Sequence, residues 1–85
     1  MIAEEIRDRL ASLHATRLEV IDDSEQHRGH GGWREGGQTH FRIIARAEAF
    51  RDLTRLQRHR LIHGLLGDLT SRIHALALDL DLPDD

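Results

Sequence analysis

Cysteine is absent from this chain of 85 residues. Its absence excludes disulfides, a thiolate nucleophile and a cysteine metal ligand from the chain itself. No apolar run approaches the length of a membrane span, and no signal or transit pattern is present, so we expect a cytoplasmic protein with no membrane contact. Any soft metal centre would have to take its sulfur from another molecule.

Lysine is also absent, so arginine supplies all 12 basic side chains, and the net charge is −3. A negative net charge argues against a protein whose main role is non-specific nucleic-acid binding, which favours a strongly basic domain. The charge is unevenly distributed, however, because arginine dominates the middle of the chain and aspartate dominates residues 79–85. A local basic surface is therefore compatible with the composition.

A chain of this length forms one small domain, residues 1–85, with a single modest core and little room for a large enclosed active site. Apolar periodicity and turn signals predict five regular elements joined by irregular segments. We predict a helix at 2–14, a strand at 17–22, a loop at 23–38, a strand at 39–46, a helix at 54–69, a strand at 72–78 and an acidic tail at 79–85.

The first two predicted strands form a hairpin around a loop rich in glycine and histidine. Because each glycine loses much backbone entropy on ordering, we expect a mobile loop that a ligand or partner could order. His27 and His30 stand three residues apart there, so both imidazoles could face one metal ion. Two histidines make at most half a site, and exposed polar loop residues are the competing interpretation.

The second predicted helix has a clear start signal. Thr54 is a suitable N-cap, and Gln57 three residues later completes a capping box. Leu56, His59, Ile62, Leu66 and Leu69 form the predicted inward stripe, which Leu61 and Leu65 widen. Gly64 and Gly67 weaken a helix, which suggests that another backbone comes close to them.

The last predicted strand follows that helix, so a strand–helix–strand crossover would pair it parallel to the second strand. It carries one histidine, His74, which we expect to face away from the side of Ile73 and Ala75. Catalysis is not expected, because Asp22, Ser24 and His27 share one loop rather than separate parts of a rigid frame.

Several short sequence motifs, taken together, resemble those of the BolA family over almost the whole chain. They are Leu18-Glu19-Val20, Asp23-Ser24, His27, Thr39-His40-Phe41-Arg42, Phe50, Arg58-His59-Arg60-Leu61-Ile62 and Ile73-His74-Ala75-Leu76. Each motif alone is weak evidence for the resemblance, but the order and spacing of the motifs together are specific for the family. The chain departs from the family's usual residues at two positions: His63, where asparagine or tyrosine is frequent, and Asp52, where glycine is common.

The resemblance implies an α+β fold: a single αββαβ domain, similar to class II KH folds, whose three-stranded mixed sheet is covered by helices on one face. It also implies a partner, a monothiol glutaredoxin, with which BolA-like proteins share a bridging [2Fe–2S] cluster. The glutaredoxin and its glutathione would supply thiolates. This chain would supply His74 and a loop histidine, His27 by its distance from Asp23-Ser24 or His30 as competitor. No cofactor is expected in the isolated chain.

Two other functions stay open. Some BolA-like proteins act as transcriptional regulators of stress response and morphology, so DNA could be contacted through Arg58, Arg60, Arg42 or Arg46. The Gly-x-x-Gly loop of KH domains is missing, however. A simple zinc site through His27, His30 and His74 would use the same ligands as the cluster.

Overall fold

The computed structural model describes residues 1–23 and 40–83. The regular elements are α1 (Ile2–Leu10), β1 (Arg17–Asp22), β2 (His40–Arg46), α2 (Arg55–Leu66) and β3 (Ala75–Asp81). Short 3-10 turns occupy Ala11–Leu13, Glu48–Phe50 and Gly67–Arg72. The predicted α+β order of helix, strand, strand, helix, strand is confirmed. The loop histidines His27 and His30 lie outside the described residues, as does Thr39.

The three strands form one sheet in the order β1-β2-β3. β1 pairs antiparallel with β2, with Val20 opposite Ile43, so the predicted hairpin is confirmed. β3 pairs parallel with β2, with His40 opposite Ala75. The strand–helix–strand crossover through α2 therefore places the beginnings of β2 and β3 side by side at one end of the sheet.

The core lies between the two helices and one face of the sheet. Side chains alternate along each strand, so every second residue faces the helices. The buried apolar residues are Ile2, Ile6, Leu10 and Leu13 from the first helical segment, Val20, Phe41, Ile43, Ala45, Ala47 and Phe50 from the strands and the turn after β2, and Ile62, Leu66, Leu69 and Ile73 from α2 and the segment after it. Phe50 is fully buried.

The first helix is shorter than predicted. Its α-helical part ends at Leu10 instead of His14, and a 3-10 turn carries the chain to Leu13. His14 follows in the left-handed conformation, with φ of 50°, and its backbone N–H donates to the carbonyl of Ala11. The helical segment therefore ends where expected, although its last turn is tighter than an α-helix.

The predicted capping box starts α2. The Gln57 backbone N–H donates to the Thr54 hydroxyl at 3.1 Å, and the Thr54 N–H donates to the Gln57 side chain at 2.8 Å. The helix ends at Leu66, three residues before the predicted end, because Gly67 adopts φ of 54° and ψ of −125°. Only glycine adopts such angles readily, so Gly67 ends the helix rather than accommodating a neighbouring backbone.

Two other predictions for α2 were wrong. Leu56 is 58 % exposed and does not belong to the inward stripe, which is carried by Ile62, Leu66 and Leu69. Leu56 lies in the first turn, and burial increases only further along the helix. A Cβ added to Gly64 would meet nothing within 4 Å, so close packing does not explain this glycine.

The third strand is displaced by three residues from its predicted position of 72–78. Arg72 ends the 3-10 turn, and β3 runs from Ala75 to Asp81. Asp79 and Asp81, predicted to begin an acidic tail, are strand residues that pair with Arg46 and Arg58. The described part of the chain contains no helix with the length and apolar character to cross a bilayer.

The two glycines of the α2 region provide a matched test of these conformations. Gly64→Ala should raise the free energy of unfolding by about 0.5–1 kcal/mol, because alanine favours an open helical position. Gly67→Ala should lower it by about 1–3 kcal/mol, because its positive φ strains a side chain. Urea denaturation followed by far-UV circular dichroism measures both. Equal effects of the two substitutions would contradict the assigned conformations.

Candidate metal-ligating site

The polar residues that flank segment 24–39 lie at one end of the sheet. β1 ends at Asp22 and β2 begins at His40, and the backbone N–H of Asp23 donates to the carbonyl of His40 at 2.8 Å. This hydrogen bond extends the β1–β2 pairing by one step. Segment 24–39, which carries His27 and His30, therefore leaves and rejoins the described chain at a single place.

His74 lies at this same end. It is exposed and immediately precedes β3, whose first residue, Ala75, is opposite His40. The His40 and His74 rings have centroids 5.1 Å apart, with their planes inclined by 59°. His40 is only 3 % exposed, so a buried ring contacts the accessible imidazole of His74. His74 thus lies in ring contact with the residue at which segment 24–39 returns to the sheet.

The predicted facing of His74 needs correction. Ile73 is buried whereas Ala75 is exposed, so the two do not share the side from which His74 was expected to point away. The alternation rule fails here because residue 73 and residue 74 precede the strand, where side chains do not alternate regularly.

The burial of His40 is not apparent from local alternation. Alternation places it on the same side of β2 as Arg42, which is exposed, yet His40 is only 3 % exposed. The clue in the sequence was non-local: parallel pairing brings the beginnings of two strands together, and each carries a histidine at or just before its first residue.

Asp23 and Arg42 form the polar rim of this end of the sheet. The Arg42 Nε donates to the Asp23 carboxylate at 3.3 Å, and the Asp23 side chain is largely buried. Both residues line a small cavity of about 230 Å³ that also includes His40. A second cavity, of about 240 Å³, lies on the helix side of His74 and is lined by His63, Thr70, Ile73, His74 and Leu76.

The described residues alone do not make a metal site. Within 1–23 and 40–83, no three His, Cys, Asp or Glu side chains are grouped so as to hold a metal ion. A metal site that included His74 and two or more further protein ligands would therefore need at least one ligand from outside these ranges. Neutral imidazole binds iron, zinc and copper, so the donor alone does not select the metal.

Three of the four arginines considered for DNA contact form ion pairs within the molecule. Arg42 pairs with Asp23, and Arg46, with a side chain 15 % exposed, pairs with Asp79 at 3.1 Å. Arg58 lies near Asp81 at 3.6 Å. Arg60 is exposed on α2, and no ion pair to it is found within the described ranges. Three of the four guanidinium groups are thus engaged within the molecule.

A family model described as BolA-like protein matches residues 10–85. Among curated proteins, the chain is 38% identical over 87 residues to the "Uncharacterized protein in cobS 5'region" of Sinorhizobium, with 99% of this chain and 94% of that protein covered. It is 35% identical over 80 residues to the "DNA-binding transcriptional regulator BolA" of Escherichia coli, covering 92% and 72%. It is 40% identical to SufE-like protein 1 of Arabidopsis thaliana, but spans only 23% of that protein.

Solved structures have the same fold. The BolA domain of SufE1 from Arabidopsis thaliana superposes with a TM-score of 0.81 at 40% identity, covering 95% of this chain and 91% of that one. BolA1 from the same plant gives 0.81 at 30% identity, with 95% and 90% covered. The predicted single α+β arrangement, with a three-stranded mixed sheet and two helices, is confirmed by these comparisons.

The two histidines at this end of the sheet should differ in their contribution to stability. His40→Ala should lower the free energy of unfolding by about 1–3 kcal/mol, because it removes a buried polar ring. His74→Ala should change it by no more than about 0.5 kcal/mol, because its ring is exposed. Chemical denaturation of both variants measures the difference. A loss in His74→Ala as large as that in His40→Ala would mean that His74 is a structural residue.

Proposed function

The chain belongs to the BolA family, and on that premise we propose that it is a non-enzymatic adaptor that docks onto a monothiol glutaredoxin. Together the two proteins would share a bridging [2Fe–2S] cluster, for cluster trafficking or for iron and redox regulation in the cytoplasm. In this proposal His74 is the ligand that the folded part of the chain contributes. The rest of the iron coordination comes from the glutaredoxin, its glutathione and segment 24–39.

The observation that carries the proposal is the position of His74. Its imidazole is exposed and contacts His40, the first residue after segment 24–39. A ligand from that segment, His27 or His30, has only to approach this one end of the sheet. The two donors would then flank a single metal group, with His74 on the fixed side.

The donor chemistry fits a shared cluster. Imidazole replaces thiolate on one iron of some [2Fe–2S] centres and raises their reduction potential. This chain has no cysteine, so it can complete such a cluster only when a partner brings thiolates. That no three ligands are grouped within the described ranges also favours a coordination sphere completed from elsewhere. A zinc site through His27, His30 and His74 uses the same side chains, so metal analysis is part of the test.

DNA-binding regulation is the second candidate, because a relative 35% identical over most of this chain bears that name. The described structure offers limited support for it. Three of the four arginines considered are engaged in ion pairs, and Arg60 remains the exposed one on α2. A duplex surface needs several phosphate contacts at once, because each contact adds to affinity and to salt dependence.

The cluster proposal is tested by purifying the chain with a monothiol glutaredoxin and glutathione. We expect visible absorption and circular dichroism typical of a [2Fe–2S] centre, with iron and sulfide in equal amounts. His74→Ala should abolish this signal while its far-UV spectrum stays native, because an exposed ligand is lost but the core is not. Parallel His27→Ala and His30→Ala variants should identify the second ligand, since only one of them should lose the signal.

The matched control is His14→Asn, which changes an exposed histidine at the other end of β1. Asparagine tolerates the left-handed backbone of residue 14, so the fold should be kept. This variant should retain the full cluster signal. An unchanged signal in His74→Ala would refute the proposed ligand, and zinc in place of iron would favour the simple zinc site.

The salt dependence of duplex binding distinguishes the DNA-binding alternative from the cluster proposal. In a plot of the logarithm of the association constant against the logarithm of the salt concentration, we expect a slope no steeper than about −1. The reason is that Arg60 is the one arginine of the four without an ion pair in the described residues. Arg60→Gln should remove most of this dependence, whereas Arg46→Gln should not. A slope near −3 or steeper for the native chain would favour DNA binding.

A further inference from the structure

A cavity of about 440 Å³ lies far from His74, between the beginning of α2 and the edge strand β3. Its lining residues are Leu53, Arg55, Arg58, His59, Leu78, Asp79 and Leu80. Leu80 is six residues beyond His74, a separation of about 20 Å along an extended strand. This cavity is therefore a separate feature from the proposed cluster site.

The charged side chains around this cavity leave an excess of positive charge. Asp79 is paired with Arg46 at 3.1 Å, and Asp81 is the acidic group nearest to Arg58. Arg55 forms no ion pair within residues 1–23 and 40–83, and its side chain is exposed. Among the lining residues, Arg55 and Arg58 are cationic and Asp79 is anionic, with the imidazole of His59 beside them, whereas Arg46 and Asp81 lie outside the lining.

Arg58 is incompletely satisfied. Its Nη1 donates to the carbonyl of Leu80 at 3.4 Å and lies 3.6 Å from Asp81, both long for hydrogen bonds to a guanidinium group. Its Nε is buried without any acceptor. Buried donors almost always have partners, so an unpaired one requires an explanation. Its Cζ lies 5.9 Å from the centroid of the buried Phe50 ring, so the ring positions the guanidinium group while its long polar contacts can be exchanged for those of an incoming anion.

The remaining lining is apolar. Leu53, Leu78 and Leu80 contribute side chains to the same cavity. Four of the seven lining residues are polar or charged, so the cavity has a polar side for an anionic group and an apolar side formed by three leucines, and its volume lies within the range of small-molecule sites. We propose that this cavity binds a small organic molecule bearing a phosphate group, with the phosphate on Arg55, Arg58 and His59 and the organic part on the leucines.

Phosphate is favoured over other anions by the donors. Two guanidinium groups offer planar forks of N–H donors that match phosphate oxygens, and they remain charged at any physiological pH. Asp81 competes with the anion for Arg58, so it should weaken binding rather than assist it.

The test is a titration of the full-length isotope-labelled chain at constant ionic strength, followed by amide and arginine Nε–H nuclear magnetic resonance. The probes are inorganic phosphate, phenyl phosphate, benzoate and a short DNA duplex. We expect saturable shifts for both phosphates at residues 53–59 and 78–80 and at the Arg58 Nε–H. Phenyl phosphate should bind more tightly than inorganic phosphate, because its ring contacts the leucines.

Three variants sharpen the result. Arg55→Gln should weaken phenyl phosphate binding by about tenfold or more, because a charged donor is lost. Asp81→Asn should strengthen it by about two- to fivefold, since Arg58 loses its competing partner. Arg60→Gln, on the same helix but outside the cavity, should change it by less than about twofold.

Several outcomes would overturn the proposal. One is the absence of saturable shifts up to about 10 mM of either phosphate. Another is an equal effect of Arg60→Gln and Arg55→Gln, which would indicate a diffuse basic surface. Benzoate binding as tightly as phenyl phosphate would refute the phosphate assignment, and binding of the duplex alone would make this a nucleic-acid surface. None of these results depends on His74, so the cluster proposal is tested separately.

Discussion

The parallel pairing of β2 with β3 is the constraint on which both proposed sites depend. Leu76, Leu78 and Leu80 alternate with exposed residues and lie in register with Phe41, Ile43 and Ala45. These leucines are partly buried against the core, and a shift of one residue would turn them to the other face of the sheet, so the hydrophobic pattern specifies the register. The contact between His74 and His40 is a consequence of that register.

The two ends of this strand pair have different surroundings. At the beginning, the pair is flanked by segment 24–39, and the imidazole of His74 is exposed. At the far end, Arg46 and Arg58 pair with Asp79 and Asp81, and the Arg58 side chain crosses to the edge carbonyl of Leu80. An arginine and two aspartates along an edge strand also discourage pairing with another chain, a common protection of sheet edges. The strand pair thus separates the end with the proposed metal ligand from the end with the proposed phosphate cavity.

The features that could be predicted from the sequence are those determined by neighbouring residues. The strand at 17–22 and the Thr54–Gln57 capping box depend on local alternation and on side chains three residues apart, and both are observed. The limits of β3 were missed because alanine and leucine suit either helix or strand, and because two aspartates suggested a tail. Pairing with β2, which no local pattern contains, extends this strand to Asp81.

Backbone conformation and contacts between distant elements were the other features that the sequence did not predict. Asp52 was recognised as a departure from a position where glycine is common, and the structure gives the reason for that preference, a φ of 66°. Aspartate is among the few other residues that tolerate the left-handed region, so the turn before α2 is kept. In contrast, the burial of His40 and the engagement of Arg58 arise between distant elements, and composition and spacing do not contain that information.

The contact between His40 and His74 would let one accessible imidazole serve as a fixed ligand in the proposed cluster site. A donor held near its binding position loses less conformational entropy when a metal group arrives, and side chains that support it contribute by restricting its motion. His40 is buried and belongs to β2, whereas His74 is exposed and joins β3, so the ring contact links an accessible donor to the rigid sheet. If the second donor comes from segment 24–39, only that donor has to be brought into position when a partner docks. The folded domain would then contribute one preorganised ligand, and the cost of completing the coordination sphere would fall on the segment and the partner.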